Sequence, residues 1–213
     1  GSANTYVGSS AGKGVANNNN SNNVGVGYNA LLDIRTGDAN TSIGKDSSLN
    51  LQDGHNNVAI GNNALETSTS VGYVVAIGDD AMKSGDATSA ADGTIAIGGS
   101  ALLGLTTGAG NTAVGYQALM TEDTGSYSTA IGHSALKIQD NANGMNTAVG
   151  YNSQISTSGG QLNTSVGNLS MQLIGGSSAN NNVAIGNKSM QSTGTITDNV
   201  AANNTAVGAD SLM

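Results

Sequence analysis

The residues able to do chemistry in this chain are few and dispersed: fourteen carboxylates, six Lys or Arg, two His, six Tyr and no Cys. Two carboxylate pairs are adjacent, Asp79-Asp80 and Glu122-Asp123. Paired acids are what a glycosidase uses, one donating a proton and one acting as nucleophile or base. Both pairs fall among turn residues, however, and neighbours on an extended chain face opposite ways. Nothing around them spells an apolar pocket that would hold one acid protonated, so both read as solvated turn charge. Calcium would find oxygen ligands in "DGHNN" (53–57) and "GDATSAADG" (85–93), but neither has the spacing of a known loop. His55 and His133 are too few for a metal cluster, and no G-x-S-x-G elbow occurs. "GVGYNA" (25–30) fits a dinucleotide pattern but has no βαβ unit around it. No catalytic residue, metal site or cofactor is assigned, and the expectation is a protein that is not an enzyme.

One constellation remains. Tyr116, His133 and Tyr151 each stand directly after a Val/Ile-Gly pair, 17 and 18 residues apart, with Tyr28 farther away. If those pairs are stacked, the three rings form a stripe at one strand spacing per step. Aromatic faces bind sugars, so these three are the candidate receptor-binding residues. The plainer reading is packing under a loop or against a second chain.

What must position them is a repeat. "NTAVGYQAL" (111–119) returns as "NVAIGNNAL", "NVAIGNKSM" and "NTAVGADSL". Alignment on its glycine gives Gly8, Gly27, Gly44, Gly61, Gly78, Gly98, Gly115, Gly132, Gly150, Gly167, Gly186 and Gly208: twelve copies with a minimum period of 17 residues. Val or Ile precedes the glycine in all twelve, and Thr, Val or Ile stands three before it. Between them lies Ala, Ser or Gly, except for Tyr6. That is a short strand of period two, ended by a glycine that needs positive φ or close backbone approach. Three residues after the glycine comes Ala or Ser, followed in nine copies by Leu or Met; this reads as a second short strand. Nine copies open on Asn (Val74, Thr94 and Ser128 are the exceptions), which suits a stacked amide ladder. Length varies between the Leu/Met position and the next Asn, so insertions such as "SGDATSAADG" (84–93) bulge to one side.

Neither strand makes a domain alone; stacking each copy on the next does. The expected fold is all-β, a parallel β-solenoid or β-roll of about twelve coils, on the order of 50–60 Å long at one strand spacing per coil. The composition agrees: 32 Gly, no Pro, Trp or Phe, and 9% charged residues favour a thin core of small side chains. The branched residues are expected inside it. The Ala/Ser positions allow close approach, either by the opposite wall or by a neighbouring chain. Three narrow coils around one axis would bury far more than one, which favours a homotrimer. An ice-binding solenoid is disfavoured, because the Thr column is mixed with Val and Ile and reads as inward. The net charge of -8 and six scattered cations exclude nucleic acid, and no apolar run reaches the roughly 18 residues of a membrane span. Residues 1–3 read as an expression scar or leader. Residues 4–213 read as one repeat domain excised from a longer fibre.

"NTAVG", "NVAIG" and "NTSIG" resemble the head repeats of trimeric autotransporter adhesins. With their loose spacers they are also similar to repeat regions of bacteriophage tail fibres. That resemblance implies a left-handed, trimeric roll, a virion-surface or extracellular location, and an adhesive role with a host glycan or protein as receptor. The alternatives are a bacterial adhesin head, a polysaccharide-cleaving spike and an ice binder. The adhesin repeat is shorter, near fourteen residues, so loops and cross-section should differ.

Overall fold

The computed structural model describes residues 1–14, 18–83, 87–140, 144–158, 160–172, 174–175, 179–191 and 202–212. Each copy of the phrase contributes one three-residue strand. They are β1 (Thr5–Val7), β2 (Val24–Val26), β3 (Thr41–Ile43), β4 (Val58–Ile60), β5 (Val75–Ile77), β6 (Ile95–Ile97), β7 (Thr112–Val114), β8 (Thr129–Ile131), β10 (Thr147–Val149), β12 (Thr164–Val166), β14 (Val183–Ile185) and β15 (Thr205–Val207). They pair in parallel and in chain order into one twelve-stranded sheet. Register follows the repeat, so Thr147, Ala148 and Val149 lie beside Thr164, Ser165 and Val166. The protein is an all-β parallel solenoid with a period of about 17 residues.

The second pulse is not a strand. Around it the backbone turns through left-handed positions two and four residues after each glycine, as at Asn63 (φ 54°) and Leu65 (φ 57°). Amides there still bond between coils, alternately backward and forward: Asn63 N–H donates to the Lys45 carbonyl at 2.9 Å and Leu65 N–H to that of Ala81 at 3.0 Å. Left-handed backbone costs a non-glycine residue roughly 1–2 kcal/mol, and burial of the Leu side chain offsets it by a similar amount. A second sheet does form, but three residues later and from three strands, β9 (Ile138–Asp140), β11 (Ser156–Ser158) and β13 (Ile174–Gly175), in the order β13-β11-β9.

The core is the reverse of the expected one. Where a strand has a central Ala it is buried, and six of these (Ala59, Ala76, Ala96, Ala113, Ala130, Ala148) pack in one cluster with the turn Ala and Leu (Ala64, Leu65, Ala118, Leu119). The Thr, Val and Ile on either side are half-buried or exposed on the outer face. A period-two strand must send one parity inward, and a coil closed by such tight turns has room only for the single small residue. The Ala/Ser column therefore closes the chain's own coil. At the first strand Tyr6 takes the central place, half-buried against the core, and the next coil accommodates it with Gly25, where a Cβ would lie 2.9 Å from the ring.

Two ladders lock the stack. Buried Asn40 Nδ2 donates to the Gly54 carbonyl (2.8 Å) and to Asn23 Oδ1 (3.1 Å), while its Oδ1 accepts from the amide and side chain of Asn57, both at 3.0 Å. The same pattern joins Asn146, Asn163, Asn182 and Asn204. The strand-ending glycines form the other ladder: Gly27, Gly44, Gly61, Gly78, Gly98, Gly115, Gly132, Gly150, Gly167, Gly186 and Gly208 have φ between 124° and 142°. Of the insertion 84–93, residues 84–86 lie outside the described residues; Ser89–Ala91 forms a 3-10 turn.

Candidate functional site

The three ring-bearing residues each follow a glycine ending a strand of the long sheet: Tyr116 after β7, His133 after β8 and Tyr151 after β10. The fold stacks them. Ring centroids are 5.2 Å apart from Tyr116 to His133 and 5.4 Å from His133 to Tyr151, with planes tilted by 38° and 32°. The backbone holds each rung at a fixed height. The Ser134 amide donates to the Tyr116 carbonyl (2.9 Å), that of Asn152 to His133 (3.0 Å) and that of Leu169 to Tyr151 (2.9 Å). Below the ladder stands Gly99, whose missing side chain leaves room for the Tyr116 ring; a Cβ there would lie 3.3 Å from it. Gln117 Nε2 donates to Tyr116 Oη at 3.3 Å. Both tyrosines remain 52% exposed, and His133 is exposed as well. The spacer loops do not cover the rings. This is an ordered, overlapping aromatic strip open to solvent, with the chemistry to offer ring edges and phenol or imidazole hydrogen bonds. Tyr28 shares the column but has no aromatic neighbour in it, since Lys45 follows on the next coil.

No family model, curated protein or solved structure matches the chain. The site must therefore be read from its own geometry.

The carboxylates divide. Asp79 accepts from Asn62 (2.9 Å) and Asp80 from Asn63 (2.8 Å), so these acids continue amide ladders between coils. The Asn63 amide, helped by the ion pair with Lys83 at 3.1 Å, holds the Asp80 carboxyl below its ordinary value. In "DGHNN", Asp53 is engaged by Arg35 and by the Thr36 hydroxyl (2.7 Å), and His55 packs edge-on against Tyr73 with centroids 5.2 Å apart. In "GDATSAADG", Asp92 accepts from the Gly72 amide at 2.7 Å. Among the described residues no group of three or more His, Asp or Glu converges.

Glu122 contradicts its reading as solvated turn charge. Its neighbour Asp123 is exposed and bonds Thr106, but Glu122 points inward and is fully buried. It stands seven residues after its strand glycine, where other coils carry the buried Ile34, Leu51 and Leu105. That column would have revealed it from the sequence. Its Oε1 accepts from the Gly125 amide at 2.5 Å and its Oε2 from Gln139 on the next coil. Gln139 also donates to Ser128 and accepts from Asn146, both at 3.1 Å. The pair thus bridges the Asn ladder where Ser128 interrupts it.

Burial pushes the Glu122 carboxyl above its ordinary value of 4.5, against the lowering effect of these hydrogen bonds, and no charged neighbour contributes. A raised folded value means that the associated stability is fully present below 4.5 and is lost as pH climbs through the folded value. The Glu122 contribution to melting temperature should therefore fall as pH rises above 4.5, and Glu122→Gln should flatten that part of the profile, at the cost of turning an amide NH2 toward the Gly125 or Gln139 donor. Parallel profiles for the two proteins in thermal melts would show that Glu122 is not the source.

Proposed function

We propose that this chain is a structural and adhesive segment of a homotrimeric fibre, a viral tail fibre or a related surface fibre with a left-handed roll. In this reading it sits on a virion or outside a cell and presents a host-contact surface, with the Tyr116, His133 and Tyr151 ladder as that contact. The single observation carrying it is the outward face of the long sheet. Two columns of Thr, Val and Ile run the length of the solenoid without cover, with Ile43, Ile131, Val166 and Ile185 among the exposed apolar side chains. A monomer that exposes so long an apolar strip has a binding face, and a second and third copy present the same columns. A bacterial trimeric adhesin head would use the face in the same way.

Ile131→Arg combined with Val149→Arg tests this. Both side chains point away from the core, so the double variant should keep its far-UV spectrum and yet sediment as a monomer. If the variant keeps the wild-type mass, the seam lies elsewhere. The contact role has a separate test. Tyr116→Ala and Tyr151→Ala, alone or together, should shift the melting temperature by no more than a surface substitution does, within about 0.5 kcal/mol, and abolish attachment to host cells. Loss of the oligomer in these variants would instead make the rings part of the seam.

One observation favours a second reading. The Thr column, expected inside, lies outside, and it is unbroken through Thr112, Thr129, Thr147 and Thr164. A flat outward array of Thr beside Val and Ile is what an ice-binding face requires. Thermal hysteresis by a monomer would establish this reading in place of the fibre, since one face cannot serve both.

A further inference from the structure

The aromatic ladder is the lower part of a longer column that carries no Asp, Glu, Lys or Arg. Beyond Tyr116, His133 and Tyr151, the same position on the next two coils holds Asn168 and Asn187, both exposed, with Asn168 Nδ2 donating to Asn187 Oδ1 at 2.8 Å. Five successive coils thus present three rings and then two paired amides along one line. Residues 141–187 contain no Asp, Glu, Lys or Arg at all. The same column nearer the N-terminus is different: it carries Lys45 and Asp79, with Asp46 and Asp80 beside them. Charges near the rings in sequence include Lys137, four residues after His133, and Glu122 and Asp123, six and seven after Tyr116, of which Glu122 is buried and Asp123 is turned to Thr106. Lys188 follows Asn187 at the far end, one position outside the column.

Resting on the reading of the ladder as a contact surface, we infer that its ligand is an uncharged glycan laid along the solenoid axis from Tyr116 to Asn187. The phenol and imidazole groups at the outer edge of the overlapping rings, and the side-chain amides beyond them, exchange hydrogen bonds with sugar hydroxyls, while the ring edges meet sugar C–H groups. An anionic polymer, whether nucleic acid or acidic polysaccharide, needs Lys or Arg to offset its charge, and this column offers none. The rung spacing agrees with the ligand as well. Centroids step by 5.2 and 5.4 Å, close to the rise per sugar in an extended β-linked chain, so consecutive sugars meet consecutive coils. Rigid backbone ladders hold the spacing, which spares the ordering cost that a loop-built site incurs on binding.

The test is calorimetric titration of the assembled protein with neutral β-linked gluco-, manno- and xylo-oligosaccharides of graded length, and with oligogalacturonate and oligoalginate as acidic probes. At least one neutral series should bind, with affinity rising up to about five sugars, one per coil, and unchanged by added salt because no ion pairs form. Tyr151→Ala should weaken it about tenfold or more. Asn168→Ala and Asn187→Ala should weaken only the longer oligomers. Salt-sensitive preference for the acidic probes, affinity that stops rising at a disaccharide, or binding confined to peptides would overturn the inference. The underlying reading fails separately: if Tyr116→Ala and Tyr151→Ala leave cell attachment intact, the ladder is not a contact surface. If attachment is lost while no neutral glycan binds, the contact stands and the ligand class is wrong.

Discussion

Gly115→Ala is expected to destabilise the protein by roughly 3 kcal/mol or more. Two causes act together. Gly115 has φ of 138°, a region closed to residues with a Cβ, and an added Cβ would lie 2.4 Å from the carbonyl oxygen of Gly132 on the next coil. The clash is with backbone, so no rotamer relieves it. Separating the coils would also strain the ladder on either side, where Gly115 N–H donates to Ile97 at 2.7 Å and Gly132 N–H to Val114 at 2.8 Å. Gly93→Ala is the matched control. Its φ is 73° and nothing lies within 4 Å of the new methyl, so the cost should be near 1 kcal/mol, the penalty of left-handed backbone alone. Urea denaturation measures the difference. Hydrogen exchange should localise it, because each coil contacts only its neighbours. Amide protection should fall in the strands β6 to β8 of Gly115→Ala and persist in β2 and β3.

Asn40→Ala is expected to cost roughly 2–5 kcal/mol, although it removes only a surface-type amide in composition terms. Asn40 is fully buried and serves two neighbours at once. Truncation orphans the Gly54 carbonyl, bonded at 2.8 Å, and removes the acceptor for both the amide and the side chain of Asn57. Each buried group left without a partner costs about 1–3 kcal/mol. The natural breaks in the column give the comparison. Val74 ends one run harmlessly, since its own amide still donates to Asn57 Oδ1 at 2.9 Å. Thr94 leaves its buried hydroxyl without a partner. Thr94→Val should therefore be neutral or stabilising in the same denaturation assay. If Asn40→Ala costs no more than Thr94→Val, the amide ladder is not what holds the coils in register.

The strand, its terminating glycine and the Asn column could be read from the sequence because each is dictated by local geometry repeated from coil to coil, the first two in all twelve copies and the Asn in nine. The aromatic ladder could be read for the same reason. The separations Gly115 to Gly132 and Gly132 to Gly150 keep Tyr116, His133 and Tyr151 at one height per coil, and the extra residue before Gly150 is absorbed elsewhere. Three features were misread. Val-Ala-Ile states a period of two but not which parity is inside. Hydrophobicity favours the branched pair, whereas the width of a coil set by left-handed turns favours alanine. The Leu/Met pulse looked like a strand because Leu is apolar at regular spacing. Its composition held the correction: no Val or Ile ever stands at that position, as expected where φ is positive and β-branched side chains fit worst. Glu122 was misread because an isolated acid was judged by its turn-like neighbours and not by the Ile34, Leu51 and Leu105 column in which it stands.

The proposal that three chains join through the outward Thr, Val and Ile columns is tested most directly by the solution mass from light scattering across a range of concentrations. The account predicts about three times the 20.9 kDa chain, held on dilution and reduced to a single chain by Ile131→Arg with Val149→Arg. A mass of one chain at every concentration would contradict it, and would leave the outer face free for the ice-binding reading that its Thr column supports.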